Sequence, residues 1–457
     1  MKTFYKLLVL LTALAFMQTA FGQDAPKKEA DNAKKEASAK KDGDDKEDAG
    51  EVSTELISAD KNAVFNDRAK FTFEVKNTTN NEQAGKVSYQ VFTEKGVKLN
   101  ADSVKVKIDK KSTGKYTFEI PEANAGFYKV NFMVNVTDYD DTTRRAFGIR
   151  PEEIRSPYKR PDDFDAFWQT AKDELVKVKP NFKVIPMPQL NTEKSRVFLI
   201  EMQSLGNITI RAWLTEPKTT DKNKKFAVLV GLPGYQANLD PITSIDGDVA
   251  FITLNVRGQG KGEANSRDSI NLRRDEFIVY HIEDKNKYIM RGVIMDCQRC
   301  IDFIYSRPEL KHDKIFVKGG SMGAYLALVT ASLDKRVTLC SLQSPVLCDI
   351  RNLRGEVEFP IKNIDQYIKT QPGLTWEKVL ANLDYFDGKN FAPNVTCGLI
   401  MSIGLVDPFA PPPGEFVTYN NLVCKKRIVI FKDLGHDASP LYLKLEQSWF
   451  HDEFALF

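Results

Sequence analysis

Cysteine and histidine are scarce in this sequence, and neither sign of charge dominates it. Its 457 residues include six cysteines and four histidines, and 65 lysines and arginines balance 62 acidic residues to a net charge of +3. Six cysteines in a chain of this length are too few for a disulfide scaffold. The small net charge provides no strong field for nucleic acid, so we expect no nucleic-acid partner.

Sequence motifs for nucleotides and metals are absent as well. There is no Walker A motif and no His-Glu-x-x-His, and residues 257–262 (RGQGKG) lack the Gly-x-Gly-x-x-Gly spacing. Cys297 and Cys300 lie three residues apart in a predicted helix, without the second pair or the histidines that a zinc site needs. We therefore expect buried thiols, and no cofactor or metal.

Residues 1–22 have the organisation of a secretory signal. Two lysines precede a short apolar run, and Ala20 and Gly22 stand at positions −3 and −1 of a cleavage point. The apolar run is shorter than the roughly 20 residues that span a bilayer, so we expect no membrane insertion. The sequence predicts cleavage after Gly22 and a mature protein that is secreted or periplasmic.

Residues 23–51 are mostly charged and contain no aromatic or β-branched residue. Such a segment buries too little apolar area to offset its ordering entropy, so we predict a charged, disordered linker. The alternative is a charged tail that binds a partner or a surface.

Residues 52–148 have the sequence pattern of short β-strands. Five segments alternate apolar with polar residues and are separated by turn sequences: 70–76, 86–93, 103–108, 115–120 and 127–136. This pattern predicts a small antiparallel β-sandwich of immunoglobulin or fibronectin type, although it lacks the cysteines and tryptophan of antibody domains. We expect a spacer or an oligomer contact, with carbohydrate binding as the alternative.

In residues 149–457 strands alternate with helices. Residues 226–231 and 249–256 are continuous apolar runs, as expected of strands that are buried on both faces. Further strands are predicted at 314–318, 397–403 and 427–431. The pattern predicts an α/β domain, with a mostly parallel sheet covered by helices on both faces.

A Gly-x-Ser-x-Gly motif occupies residues 319–323, between a predicted strand and the predicted helix 322–333. In that context the motif forms a tight strand-to-helix turn that lifts the serine hydroxyl above the edge of the sheet. We predict that Ser321 is a nucleophile. The alternative is an ordinary tight turn with an idle serine.

A nucleophilic serine needs a histidine base, which in this architecture follows it in the chain. Two of the four histidines precede Ser321, and His451 lies in an amphipathic C-terminal helix where packing accounts for it. His436 comes directly after the predicted strand 427–431, where the base belongs. We predict that His436 is the base.

The acid that orients the base is expected after the preceding strand. Asp407 follows the predicted strand 397–403 and is the predicted acid. Its rivals, Asp433 and Asp437, are better explained as loop caps, and an ordinary Asx turn is the alternative interpretation of Asp407 itself.

Acyl transfer also needs two N–H donors for the oxyanion of the tetrahedral intermediate. One donor is expected from Met322, directly after the nucleophile, because main-chain donors do not depend on the side chain. The other is expected from the loop 232–236, after the first buried strand, with Tyr235 as the best candidate.

These residues resemble the acetyl xylan esterases and cephalosporin C deacetylases of carbohydrate esterase family 7, which have the α/β-hydrolase fold. The resemblance begins at Ser156 and rests on these stretches: 160–168 (RPDDFDAFW), 257–260 (RGQG), 319–323 (GGSMG), 344–349 (SPVLCD), 383–390 (LDYFDGKN), 404–412 and 435–436. It implies deacetylation of small acetylated sugars and a homo-oligomer, often a toroidal hexamer. It also implies a triad of Ser321, Asp407 and His436.

The sequence therefore predicts a secreted serine esterase that deacetylates an oligo- or polysaccharide. Members of the family usually carry glutamine where Met322 stands and histidine where Pro233 stands, so the acyl-length preference is open. One alternative is a peptidase of prolyl oligopeptidase type, although residues 52–148 are too few for its β-propeller. The other is a catalytically inactive carbohydrate-binding protein on a hydrolase fold.

Overall fold

The computed structural model describes residues 50–122, 124–243, 247–259, 272–355 and 357–456. The predicted signal, residues 1–22, and all of the predicted linker before Gly50 lie outside the described residues.

The strands and helices follow the two-part organisation of the sequence. The first part contains β1 (Val52–Ser58), β2 (Val64–Phe65), β3 (Arg68–Asn77), β4 (Gln83–Thr93), β5 (Lys98–Ile108), β6 (Ser112–Pro121), β7 (Gly126–Val136) and β8 (Tyr139–Ile149). The second part contains β9 (Lys183–Pro186), β10 (Ser195–Ser204), β11 (Ile208–Pro217), β12 (Phe226–Leu232), β13 (Val249–Asn255), β14 (Leu310–Gly320), β15 (Leu339–Gln343), β16 (Gly398–Gly404) and β17 (Lys426–Phe431). Its helices are α1 (Phe164–Lys177), α2 (Arg274–Phe277), α3 (Ile289–Tyr305), α4 (Met322–Leu333), α5 (Ile361–Thr370), α6 (Trp376–Leu383), α7 (Gly388–Phe391), α8 (Pro412–Asn421) and α9 (Pro440–Phe454).

Strands β1 to β8 form two sheets that face each other. One sheet has the order β1-β3-β6 and the other the order β2-β8-β7-β4-β5. Between them the rings of Phe71 on β3 and Phe132 on β7 lie 5.1 Å apart. The five predicted segments all fall within β3 to β7, and the sequence pattern did not predict β1, β2 or β8. The immunoglobulin type of this sandwich stays a prediction.

The second part of the chain contains a nine-stranded sheet with the order β17-β16-β15-β14-β12-β13-β11-β10-β9. Strands β12 to β17 pair in parallel, and β9 to β11 form an antiparallel extension at one edge. Strand β12 is buried along its whole length, which explains its continuous apolar run.

Helices cover both faces of this sheet. Val228 and Val230 of β12 belong to the main core, together with Leu326 of α4. Leu229 between them packs on the opposite face with Phe450 of α9. The alternation follows the two-residue period of a strand. The predicted α/β arrangement, with a mostly parallel sheet between helices, is confirmed.

The sandwich packs directly against the second part of the chain. The rings of Phe127 on β7 and Phe416 on α8 lie 5.2 Å apart. In the segment that joins the two parts, just after β8, the carbonyl of Pro151 accepts from the Asn420 side chain, also on α8, at 2.9 Å. Arg145 on β8 pairs with Asp433, in the loop after β17, at 3.1 Å. These contacts are made with the two segments that follow β16 and β17.

All six cysteines lie among the described residues and are free thiols. Cys297 and Cys300 are buried inside α3, as expected, and burial raises the pKa of the Cys300 thiol to about 12. Within the described ranges, no helix combines the length and the apolar character needed to cross a membrane.

Candidate active site

Ser321 occupies the turn between β14 and α4. The strand ends at Gly320 and the helix begins at Met322, so the serine is the one residue between them. Its backbone has φ 58° and ψ −121°, a conformation that L residues rarely adopt. Its N–H donates to the carbonyl of Gln343 on β15 at 2.9 Å. This is the tight strand-to-helix turn that the motif predicts.

Two glycines allow this turn to close. A Cβ atom on Gly319 would lie 2.3 Å from the carbonyl carbon of Gly323, and one on Gly323 would lie 2.3 Å from the carbonyl oxygen of Leu232. No side chain fits at such distances, so both positions require glycine. The close approach also brings the loop after β12 against the beginning of α4.

Asp407 and His436 form a hydrogen-bonded pair. His436 Nδ1 lies 2.7 Å from Asp407 Oδ2, and it donates because a carboxylate only accepts. Asp407 Oδ1 accepts from the backbone N–H groups of Phe409 at 2.8 Å and Ala410 at 2.9 Å. The Asp407 side chain is completely buried, whereas the His436 side chain is 11% exposed. In neutral His436, Nε2 is therefore the proton acceptor.

The loops that carry Asp407 and His436 follow two neighbouring parallel strands, β16 and β17. The N–H of Leu405 donates to the carbonyl of Phe431 at 3.0 Å, and that of Val406 donates to the carbonyl of Leu434 at 3.2 Å. A Cβ atom on Gly404 would lie 2.4 Å from the Leu434 carbonyl oxygen. The two loops are thus held against each other by their backbones.

Tyr235 and Met322 lie beside Ser321, and all three line one cavity together with His436. Met322 is the first residue of α4, so the partial positive charge of the helix N-terminus is directed toward this site. The Tyr235 ring is buried and lies 4.7 Å from the ring of Phe359. The structure brings all five predicted residues to one place, and their catalytic roles stay predictions.

The cavity in front of Ser321 is small and apolar. Its volume is about 20 Å³, close to the space that one water molecule occupies. Its other walls are the side chains of Ile278, Val346, Leu347, Phe359, Pro360 and Phe409. Phe409, 37% exposed, lies at the mouth with its ring 5.2 Å from that of His436. Three of these walls lie in stretches that carry the family resemblance, 344–349 and 404–412, but the sequence does not indicate which side chains of those loops face Ser321.

The sequence also did not indicate Glu415, which lies on α8. It is 1% exposed, and neither of its carboxyl oxygens has a hydrogen-bond partner among the described residues. Burial, and to a smaller extent the charge of Asp407, raises the pKa of Glu415 well above the ordinary 4.5. The neutral form of Glu415 is therefore favoured over that of an exposed glutamate, at a position close enough to Asp407 to be affected by its charge.

Comparison with known proteins places this chain in a family. A model of the acetyl xylan esterase family matches residues 151–453. The acetyl esterase Axe7A of Xylanibacter ruminicola is 28% identical in an alignment of 292 positions that covers 62% of this chain and 65% of that protein. The chain thus spans about 65% of the length of this curated relative.

Two solved structures have the same fold. The acetyl xylan esterase from Paenibacillus sp. R4 is 26% identical with a TM-score of 0.62, over 67% of this chain and 99% of its own. Acetyl xylan esterase 1 from Thermoanaerobacterium sp. JW/SL YS485 is 24% identical with a TM-score of 0.58, over 66% and 97%. These matches confirm the α/β-hydrolase fold and the resemblance found in the sequence. The chain belongs to the acetyl xylan esterase family.

Proposed function

We propose that the protein is a serine esterase that removes acetyl groups from acetylated carbohydrates. One observation carries the proposal: a small apolar cavity is lined both by a serine on a strained turn and by a histidine that is bonded to a buried carboxylate. The similarity to acetyl xylan esterases supports acetylated xylan or xylo-oligosaccharides as the substrate class.

Acylation begins when His436 Nε2 takes the proton of the Ser321 hydroxyl. The serine oxygen attacks the acetyl carbonyl carbon, and the N–H groups of Tyr235 and Met322 donate to the oxyanion. The imidazolium then protonates the sugar oxygen as the ester bond breaks, and the sugar alcohol leaves. Asp407 holds Nδ1 protonated throughout and stabilises the charged ring.

Deacylation repeats these steps with water as the nucleophile. His436 takes a proton from the water, and the resulting hydroxide attacks the carbonyl carbon of the acetyl-serine. The second tetrahedral intermediate collapses with return of the proton to the Ser321 oxygen, and acetate is released. No group beyond these side chains and the two backbone donors is required.

The size of the cavity supports a short acyl group. A space of about 20 Å³ accommodates a methyl group, and its apolar walls exclude a polar acyl chain because unpaired polar groups are costly to bury. Each additional methylene that extends into this space must displace a wall side chain. We therefore expect acetyl esters to be preferred over longer ones by about 10-fold or more for each methylene.

The test is the initial rate on p-nitrophenyl acetate, butyrate and octanoate, with release of acetate from acetylated xylo-oligosaccharides measured alongside. Ser321→Ala should lower the rate at least about 10⁴-fold. Ser332→Ala, at the far end of the same helix, is the matched control and should retain the activity. Full activity in Ser321→Ala, or equal rates on all three esters, would contradict the proposal.

Two further measurements, peptide cleavage and xylan binding, separate the alternatives. A peptidase of prolyl oligopeptidase type would cleave a prolyl peptide substrate in a Ser321-dependent manner. An inactive binding protein would bind xylan and turn over none of the esters.

We also propose export through the signal at residues 1–22, which N-terminal sequencing of the mature protein tests. The homo-oligomer implied by the family resemblance is tested by light scattering.

A further inference from the structure

A second apolar cavity lies directly behind the one in front of Ser321. Its volume is about 10 Å³, and side chains from α5 and α6, such as Ile364 and Leu383, form part of its lining. The two cavities share three lining residues, Ile278, Leu347 and Pro360. These three residues, which we name the partition, therefore separate the space beside the nucleophile from the space behind it.

The partition is held rigidly from both sides. The Tyr288 hydroxyl donates to the carbonyl of Ile278 at 2.9 Å, and the Ile278 side chain is buried. Leu347 has φ 56°, which is costly for a bulky residue and persists only where the surroundings impose it. The N–H of Gly388 donates to the Leu347 carbonyl at 2.9 Å. Strained residues that the surrounding structure holds in place are typical of functional sites.

We propose that the partition sets the acyl-length limit of the enzyme. The inference rests on the proposed esterase function and goes beyond it by naming the residues that stop the acyl chain. Ile278 and Leu347 are two of the three residues that both cavities share, and shortening either side chain joins the two spaces. The combined space then takes the additional methylenes of a butyryl group.

The experiment compares kcat/KM for p-nitrophenyl butyrate with kcat/KM for the acetate in the same sample. This ratio does not depend on the fraction of folded enzyme. Ile278→Ala and Leu347→Ala open the partition, and both should raise the ratio about 10-fold or more over the wild type. Ile364→Ala is the matched control, because it enlarges the second cavity without touching the first, and its ratio should equal that of the wild type.

Three results would overturn the proposal. An unchanged ratio in both partition variants would mean that other walls set the limit, and an equal rise in Ile364→Ala would mean that general loosening changes the selectivity. A wild type that prefers butyrate would refute the proposed acetyl preference itself. The milder Ile278→Val removes one methyl group and covers the case in which an alanine variant does not fold. It should raise the ratio of propionate to acetate several-fold.

Discussion

Replacing Glu415 with glutamine tests whether a neutral carboxylic acid lies behind Asp407. The Glu415 side chain is almost completely buried, and neither of its oxygens has a hydrogen-bond partner among the described residues. Burial disfavours the charged form, and the neighbouring Asp407 disfavours it further, so the pKa of Glu415 in the folded protein is raised well above 4.5. Glutamine has nearly the same shape and cannot ionise, so the substitution removes the titration and little else.

The sign of the effect follows from proton linkage. Above pH 4.5 the unfolded chain releases the Glu415 proton while the folded protein keeps it, so the wild type loses stability as the pH rises. The loss is about 1.4 kcal/mol for each pH unit in which the folded carboxyl stays protonated. Glu415→Gln has no such loss. Relative to the wild type it should therefore gain stability as the pH rises from 5 to 7.

The assay is urea unfolding of both proteins at pH 5, 6 and 7, with the free energies of unfolding compared at each pH. Glu193→Gln is the matched control, because it removes an exposed carboxyl of the same type. The difference between Glu415→Gln and the wild type should widen from pH 5 to pH 7. A difference that stays constant would show that Glu415 has the same charge in the folded and unfolded states, and would refute the reasoning.

Three further substitutions have defined outcomes. Asp407→Asn should lower kcat on p-nitrophenyl acetate about 10⁴-fold with an unchanged circular dichroism spectrum, because the amide favours the wrong imidazole tautomer; near-normal kcat would exclude Asp407 as the acid. Gly323→Ala forces its Cβ against the Leu232 carbonyl. The turn must then shift, and a displacement of Ser321 by about 1 Å should lower kcat 100-fold or more. Full activity would contradict the need for glycine at this position. Phe127→Ala removes the packing on Phe416 and should lower the free energy of unfolding in urea by about 3–5 kcal/mol; a smaller loss would mean that this contact is not a packed interface.

The strands of the catalytic part were predictable because their burial is recorded in the sequence itself. Phe226–Leu232 is buried at every position, so its continuous apolar run predicts a strand without knowledge of the neighbouring strands. Strands β1 and β8 in the sandwich were missed because their local pattern is weak. Val52–Ser58 is an edge strand with alternating half-buried and exposed residues, and Tyr139–Ile149 begins with polar residues that are only partly buried. Their pairing with β3 and β7 stabilises them, and a single sequence does not display that pairing.

The polar residues of the candidate site were predictable for a different reason. Ser321, Asp407 and His436 each follow a strand, and in a parallel sheet the ends of neighbouring strands meet at one edge. A residue type and its place after a strand were therefore enough. The residues that line the cavity could not be predicted in this way. Ile278 and Phe359, for example, lie in loops whose positions depend on the packing of the whole domain.

The sandwich domain, which is expected to be a spacer or an oligomer contact, likewise depends on packing that the sequence does not display. Its Phe127 and Arg145 contact α8 and the loop after β17. Those two segments follow Asp407 and precede His436 in the chain. The Arg145 pair is exposed and contributes little on its own, but the aromatic contact is part of the main core. The sandwich therefore packs against segments that lie between Asp407 and His436 in the chain, on the side of the domain that carries both residues.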